Sequence, residues 1–111
     1  MTYEQLVDKV KSYYDRADVS EICEHVAIEV DIRGEAEGAF YIEVLSDRIV
    51  VEPYEYYDRD VIITTSARII LEIASGKLDI EDAFNSGKIH VRGNLDKAYL
   101  LKDVIYFDTK R

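Results

Sequence analysis

Between Val26 and Ile32 the chain alternates without a fault. Val26, Ile28, Val30 and Ile32 fall on one phase; Ala27, Glu29 and Asp31 fall on the other. The period-two stretch reaches from Cys23 to Arg33, with His25 and Arg33 joining the polar phase. Successive side chains of a strand point to opposite faces, so a slip of one residue would bury these charges. The register is therefore set by the sequence. The stretch commits the chain to a sheet with one dry face and one wet face.

The flanking residues extend that sheet. Gly34 to Gly38 reads as a turn. Phe40, Ile42 and Val44 then alternate with Ala39, Tyr41 and Glu43. Ser46-Asp47 makes a tight connection, and Ile49, Val50 and Val51 begin a third strand. Three consecutive strands on short turns imply an antiparallel meander. Pro53 cannot donate to a ladder, so the strand ends there or lies at an edge. Tyr54, Tyr56 and Tyr57 fall in the polar loop that follows; a partner surface or the rim of a pocket mouth is one use for them, and rings folded back on the nearest hydrophobic surface are the favoured expectation.

A helix precedes the meander. Thr2 and Gln5 fit a capping box. Tyr3, Leu6, Val7, Val10, Tyr13 and Tyr14 recur at helical spacing, which gives one apolar face to dock on the sheet. Asp18 to Ser20 is a polar break.

From Asp60 to Leu101 each junction carries its own punctuation. Val61, Ile62 and Ile63 are a short β-branched run and read as a strand. Thr64, Thr65 and Ser66 offer hydroxyls to cap a helix. Ala67, Ile70, Leu71 and Ala74 follow at helical spacing, beside a second apolar row of Ile69 and Ile73. The polar strip of this helix is only Arg68, Glu72 and Ser75, so the helix must be covered on two sides. Gly76 sits where it ends. Asp79 caps a shorter helix holding Ala83 and Phe84, which Gly87 closes. Ile89 and Val91 alternate with Lys88, His90 and Arg92 in another strand. Gly93 and Asn94 turn the chain into a last helix, predicted from Leu95 to about Phe107. It shows no clean polar face. Its cover must be its own domain, a bound lipid or a second subunit.

This ordered series resembles the sterol carrier protein type 2 family of small lipid-binding domains. The residues that carry the resemblance are Asp60, the strand and threonines Ile62 to Thr65, and the apolar helix. Ser75-Gly76-Lys77-Leu78, Ala83-Phe84, Gly87-Lys88-Ile89, Val91, Gly93-Asn94, Ala98 and Leu101 continue it. The resemblance implies an α+β fold, a five-stranded, mainly antiparallel sheet with helices packed on one face. It also implies an apolar tunnel between the layers for fatty acyl chains, acyl-CoA or sterols. Family members favour Gly in the hairpin where this chain has Ser46-Asp47; Asp tolerates left-handed turn geometry.

A chain of 111 residues is one domain by size. No apolar run approaches the roughly 18 residues of a spanning helix, and the N-terminus lacks the regions of a signal peptide. A C-terminus without a peroxisomal address, together with the lone Cys23, points to a cytoplasmic and prokaryotic setting. The net charge of −9 opposes binding to nucleic acid and stable membrane insertion at anionic surfaces.

No catalytic or metal-binding constellation stands out. His25 and His90 fall on the polar phase of their strands and read as surface residues. Cys23 reads as a small core or strand-edge residue. Asp58, Arg59 and Asp60 read as a loop ion pair. No cofactor is implied, and the chain is expected not to be an enzyme. The function that follows is a binding or carrier domain for an elongated apolar ligand. Phe40, Ile42 and Val44 from the sheet, with Ile70, Ile73, Phe84, Leu95, Leu101 and Val104 from helices, are the candidate lining. Two rivals stand beside it. One is a dimerisation or substrate-presenting module, acting through a second copy or a partner enzyme. The other is a small lipid-directed enzyme, which needs a buried ionisable group with a shifted pKa.

Overall fold

The faultless alternation becomes the middle strand of a sheet. In the computed structural model, which describes residues 1–54 and 58–106, a first helix α1 (Tyr3–Tyr14) and a short strand β1 (Ala17–Asp18) lead into β2 (Val26–Ile32). Strands β3 (Gly38–Val44), β4 (Ile49–Glu52) and β5 (Val61–Thr65) follow. Then come α2 (Ala67–Ala74), α3 (Ile80–Asn85), β6 (His90–Gly93), α4 (Leu95–Tyr99), a 3-10 turn (Leu100–Asp103) and β7 (Ile105–Tyr106).

Five strands form one sheet in the order β4-β3-β2-β5-β6. The β2–β5 pair is parallel and the other three pairs are antiparallel. Parallel neighbours cannot be joined by a tight turn, and β3 and β4 intervene between β2 and β5 along the chain. The meander of β2, β3 and β4 is as the turn spacing predicts. Leu45 N–H donates to the Arg48 carbonyl at 2.8 Å across the Ser46-Asp47 connection. Neither turn residue adopts left-handed geometry; among the described non-glycine residues only Ala36 does, at φ 63.

The dry phase of the sheet meets the helices. Val26, Ile28, Val30, Phe40, Ile42 and Val44 are all fully buried, in one cluster with Leu6 and Val10 of α1 and with Ile69, Ile70 and Ile73 of α2. Helix α1 packs against β4 and α2. Its capping box is formed as read, with Thr2 accepting from Gln5 N–H and the Gln5 side chain accepting from Thr2 N–H. Tyr13 departs from its expected face and is exposed, whereas Tyr14 is buried.

The other phase of β2 is drier than expected. Ala27 and Glu29 are buried as well. Glu29 lies between Tyr41 of β3 and Ile62 of β5, and the Arg59 guanidinium reaches over it at 3.4 Å. A central strand gains cover from both neighbours, which an isolated alternation cannot reveal. Arg59 therefore pairs across the sheet rather than with Asp58 or Asp60.

Asp60 has a separate task. Its carboxylate accepts from Ala27 N–H at 2.9 Å, its own N–H donates to the Ala27 carbonyl at 2.8 Å, and its carbonyl accepts from Asn94 N–H at 2.9 Å. One residue thus ties β2 to the strand pair β5–β6 and to the start of α4. Gly93 stands against this knot at φ 109, where a Cβ would meet the Asp60 carbonyl oxygen at 2.7 Å. Asn94 then caps α4 by accepting from Lys97 N–H.

The end of the chain corrects the sequence reading. The last helix stops at Tyr99 and passes through the 3-10 turn, and Val104 is extended. Ile105 and Tyr106 pair with Asp18 and Ala17 as a second, two-stranded sheet. Val104-Ile105-Tyr106 is β-branched and aromatic, so its local preference favours a strand over the helix predicted there. Cys23 is likewise exposed and lies before β2, not in the core or at a strand edge. Tyr56, Tyr57 and Phe107 lie outside the described residues, and Tyr54 is exposed rather than folded back.

A candidate lipid-binding cleft beside the core

A cleft of about 220 Å³ opens where the end of α2, the start of α3 and the 3-10 turn converge. Its walls are mostly apolar: Ile73, Leu78, Ile80, Leu101 and Val104. Gly76, Asp79 and Lys102 complete the rim. The local sequence explains the shape. Helix α2 ends at Ser75, and Gly76 takes φ 83, so that Lys77 N–H and Leu78 N–H both reach back to the Glu72 carbonyl. This reversal swings Leu78 inward and brings Asp79 to the N-cap of α3, accepting from Asp82 N–H. The 3-10 turn then lays Leu101 and Val104 over the gap between the two helices.

Charge is concentrated on one side of the opening. Lys102 on the 3-10 turn is bonded to the Glu81 carboxylate of α3, and its ammonium lies 6.0 Å from the centre of the Tyr99 ring. The bond to Glu81 raises the Lys102 pKa above the ordinary lysine value. Burial raises that of Tyr99, with the Glu81 charge adding to it. Tyr99 in turn meets Phe84 edge to face, with ring centres 6.3 Å apart.

The nine candidate lining residues separate into groups. Phe40, Ile42, Val44 and Ile70 are fully buried, and none of them lines the cleft. Ile73, Leu101 and Val104 converge on the cleft, at 4%, 6% and 7% exposure. Phe84 is half-buried and supports the collar through Tyr99. Leu95 is half-buried at the first turn of α4 and does not border the cleft. Sequence reasoning missed Leu78 and Ile80. Leu78 lies in the Ser75-Gly76-Lys77-Leu78 turn, and its signal was the glycine cap that aims the following residue back at the helix.

Ala98 of α4, Leu101 of the 3-10 turn and the extended Val104 are buried in the main cluster, so this segment is covered largely by its own domain. The exposed apolar surface that would call for a second copy is thereby reduced. Among the described residues no group of His, Cys, Asp and Glu is arranged to hold a metal ion. No helix among them is long and apolar enough to cross a membrane.

Solved structures share this architecture at low sequence identity. Sterol carrier protein 2 like 2 from Aedes aegypti superposes with a TM-score of 0.63 and 22% identity, covering 92% of this chain and 94% of that one. The solution structure of palmitated SCP2L2 from the same organism gives 0.60 and 20%, covering 93% of each chain. A sec-alkyl sulfatase, PisA1 of a Pseudomonas species, gives 0.70 and 13%, covering 87% of this chain but spanning only 16% of the sulfatase. No curated protein sequence matches the chain. The model of one family, described as SCP-2 sterol transfer, matches from residue 4 to residue 105, and the chain therefore belongs to that family.

Proposed function

We propose that this chain is a non-catalytic binding or carrier domain for an elongated apolar ligand such as a fatty acyl chain or a sterol-like lipid. The observation that carries the reading is the apolar cleft beside the core of a chain of this family. A volume near 220 Å³ equals roughly seven waters at their liquid volume, and lies below the ~300–1,000 Å³ of drug-sized pockets. The cleft thus receives one end of a chain. Each buried methylene contributes about 0.8 kcal/mol, without directional demands. Ile73, Leu101 and Val104 would meet the ligand first. Entry deeper toward Ile70, Phe40, Ile42 and Val44 would require the 3-10 turn to lift from the helices. That SCP2L2 from Aedes aegypti was solved in a palmitated form supports an acyl chain as one suitable occupant.

The test is native mass spectrometry of protein purified without detergent and offered a lipid extract. A bound lipid-sized mass is expected for the unaltered chain. Leu78→Glu, on a half-buried wall residue, should abolish it while the far-UV circular dichroism is unchanged. Absence of any bound species would contradict the reading.

A second reading has one observation in its favour. In the sulfatase the same fold accounts for a small part of a larger chain. A substrate-presenting or dimerising module would fit that context. A tight dimer in light scattering without lipid would favour this reading over the first.

A further inference from the structure

Strand β6 closes one edge of the main sheet and pairs only with β5. Its register decides which backbone groups that edge offers. Asn94 N–H donates to the Asp60 carbonyl at 2.9 Å, one step beyond the Gly93–Val61 pair. Bonded and non-bonded pairs alternate along an antiparallel ladder, so Arg92 and His90 exchange bonds with Ile62 and Thr64. Val91 therefore turns its N–H and C=O outward. His90, Arg92 and Gly93 are exposed and Val91 is half-buried, so no other element seals this edge. The side chains add a sign. Lys88, His90 and Arg92 share the phase opposite the buried Ile89, and none of them makes an ion pair with a described residue. Arg48, Arg59, Arg68, Lys97 and Lys102 all do, in a chain whose acids exceed its bases by 9. The next residues inward on this face are Thr64 and Ile62, which carry no charge. Asp31 and Glu29 stand one strand further in, where Arg59 holds Glu29. At the Gly93 end, Asp60 has its carboxylate on Ala27 N–H, and Asp96 opens α4.

We propose that the outer edge of β6 adds an extended acidic segment of a partner protein as a sixth strand. The backbone of the segment would bond to Val91. Its acids, at every second residue, would face Lys88, His90 and Arg92, and the residues between them would lie beside Val91 on the dry side. Charges on an edge strand guard it against its own kind: two β6 strands would bring bases against bases. The same charges favour a strand of opposite sign, which selects an acidic partner over a second copy. The proposal is independent of the carrier reading, since no residue of β6 borders the cleft.

The experiment is fluorescence anisotropy of the full chain with a labelled peptide of about eight residues that alternates glutamate and valine. At low salt it should bind at least about tenfold more tightly than the same peptide with lysine in place of glutamate. On saturation, hydrogen exchange at the Val91 amide should slow. Val91→Pro deletes the outward N–H and leaves the bonds of His90 and Arg92 to β5 in place, so it should weaken the acidic peptide at least about tenfold. Should that variant not fold, Lys88→Gln with Arg92→Gln changes exposed side chains alone and should remove the preference for the acidic peptide. Binding that survives Val91→Pro in a folded protein would overturn strand addition, leaving a basic patch only. Equal binding of both peptides, or no slowing at Val91, would overturn the proposal as well. So would a dimer of the unaltered chain that Val91→Pro dissolves. Binding to phosphatidylserine vesicles, lost in the double glutamine variant, without binding of the peptide would do the same.

Discussion

Tyr3 joins the first helix to the sheet by a single hydroxyl. Its O–H donates to the Ala39 carbonyl, and its ring lies so close to Gly38 that a Cβ there would come within 2.5 Å of it. Burial first, and the charge of Glu4 second, raise its pKa above the usual phenol value. The neutral form is therefore the one the fold favours. A raised folded pKa stabilises below the unfolded value of about 10 and is lost as pH rises through the folded one. Chemical denaturation between neutrality and high pH should show stability falling from about pH 10 upward. Tyr3→Phe should be less stable by about 1 kcal/mol at neutral pH and should show a shallower alkaline decline. An alkaline decline unchanged by this substitution would remove Tyr3 from the account. Residues of this kind were partly legible. The capping box and the cap of α3 could be read because their partners lie within one turn. The long-range partners of Asp60 and Arg59 could not, since they depend on which strands become neighbours.

At the scale of elements, cooperativity should follow the sheet order. Strand β2 has a partner on each side and buried residues on both faces. The β1–β7 pair joins only Ala17–Asp18 to Ile105–Tyr106, and Ile105 is exposed. Hydrogen exchange should show the amides of β2 opening only with global unfolding and those of the β1–β7 pair opening far earlier. Comparable protection in both would contradict this hierarchy. The same contrast explains what the sequence could show. Alternation and glycine caps placed β2 to β6, α2 and α3, because each of these segments carries its own period and its own stop. The fate of Val104-Ile105-Tyr106 was decided by a distant strand of two residues, for which Ala17-Asp18 offers no pattern. The greasy circumference of α2 was legible, but its cover was not. Ala67, Ile69, Ile70 and Ala74 are covered by protein, whereas Ile73 borders the cleft.

At the scale of the whole molecule, the sheet and helices close one core and leave a cleft at its margin, under the last turn. A family tunnel running between the layers was the expectation carried by resemblance. In this chain the sheet side of that space is filled by its own side chains at Phe40, Ile42 and Val44. A cleft opens beside that core, among Ile73, Leu78, Ile80, Leu101 and Val104. The most direct test is methyl NMR of the chain titrated with decanol. The methyl signals of Ile73, Leu78, Ile80, Leu101 and Val104 should shift in a saturable way, while those of Val26 and Val44 stay in place. Saturable shifts confined to other methyls, or none at all, would contradict the cleft as the binding site.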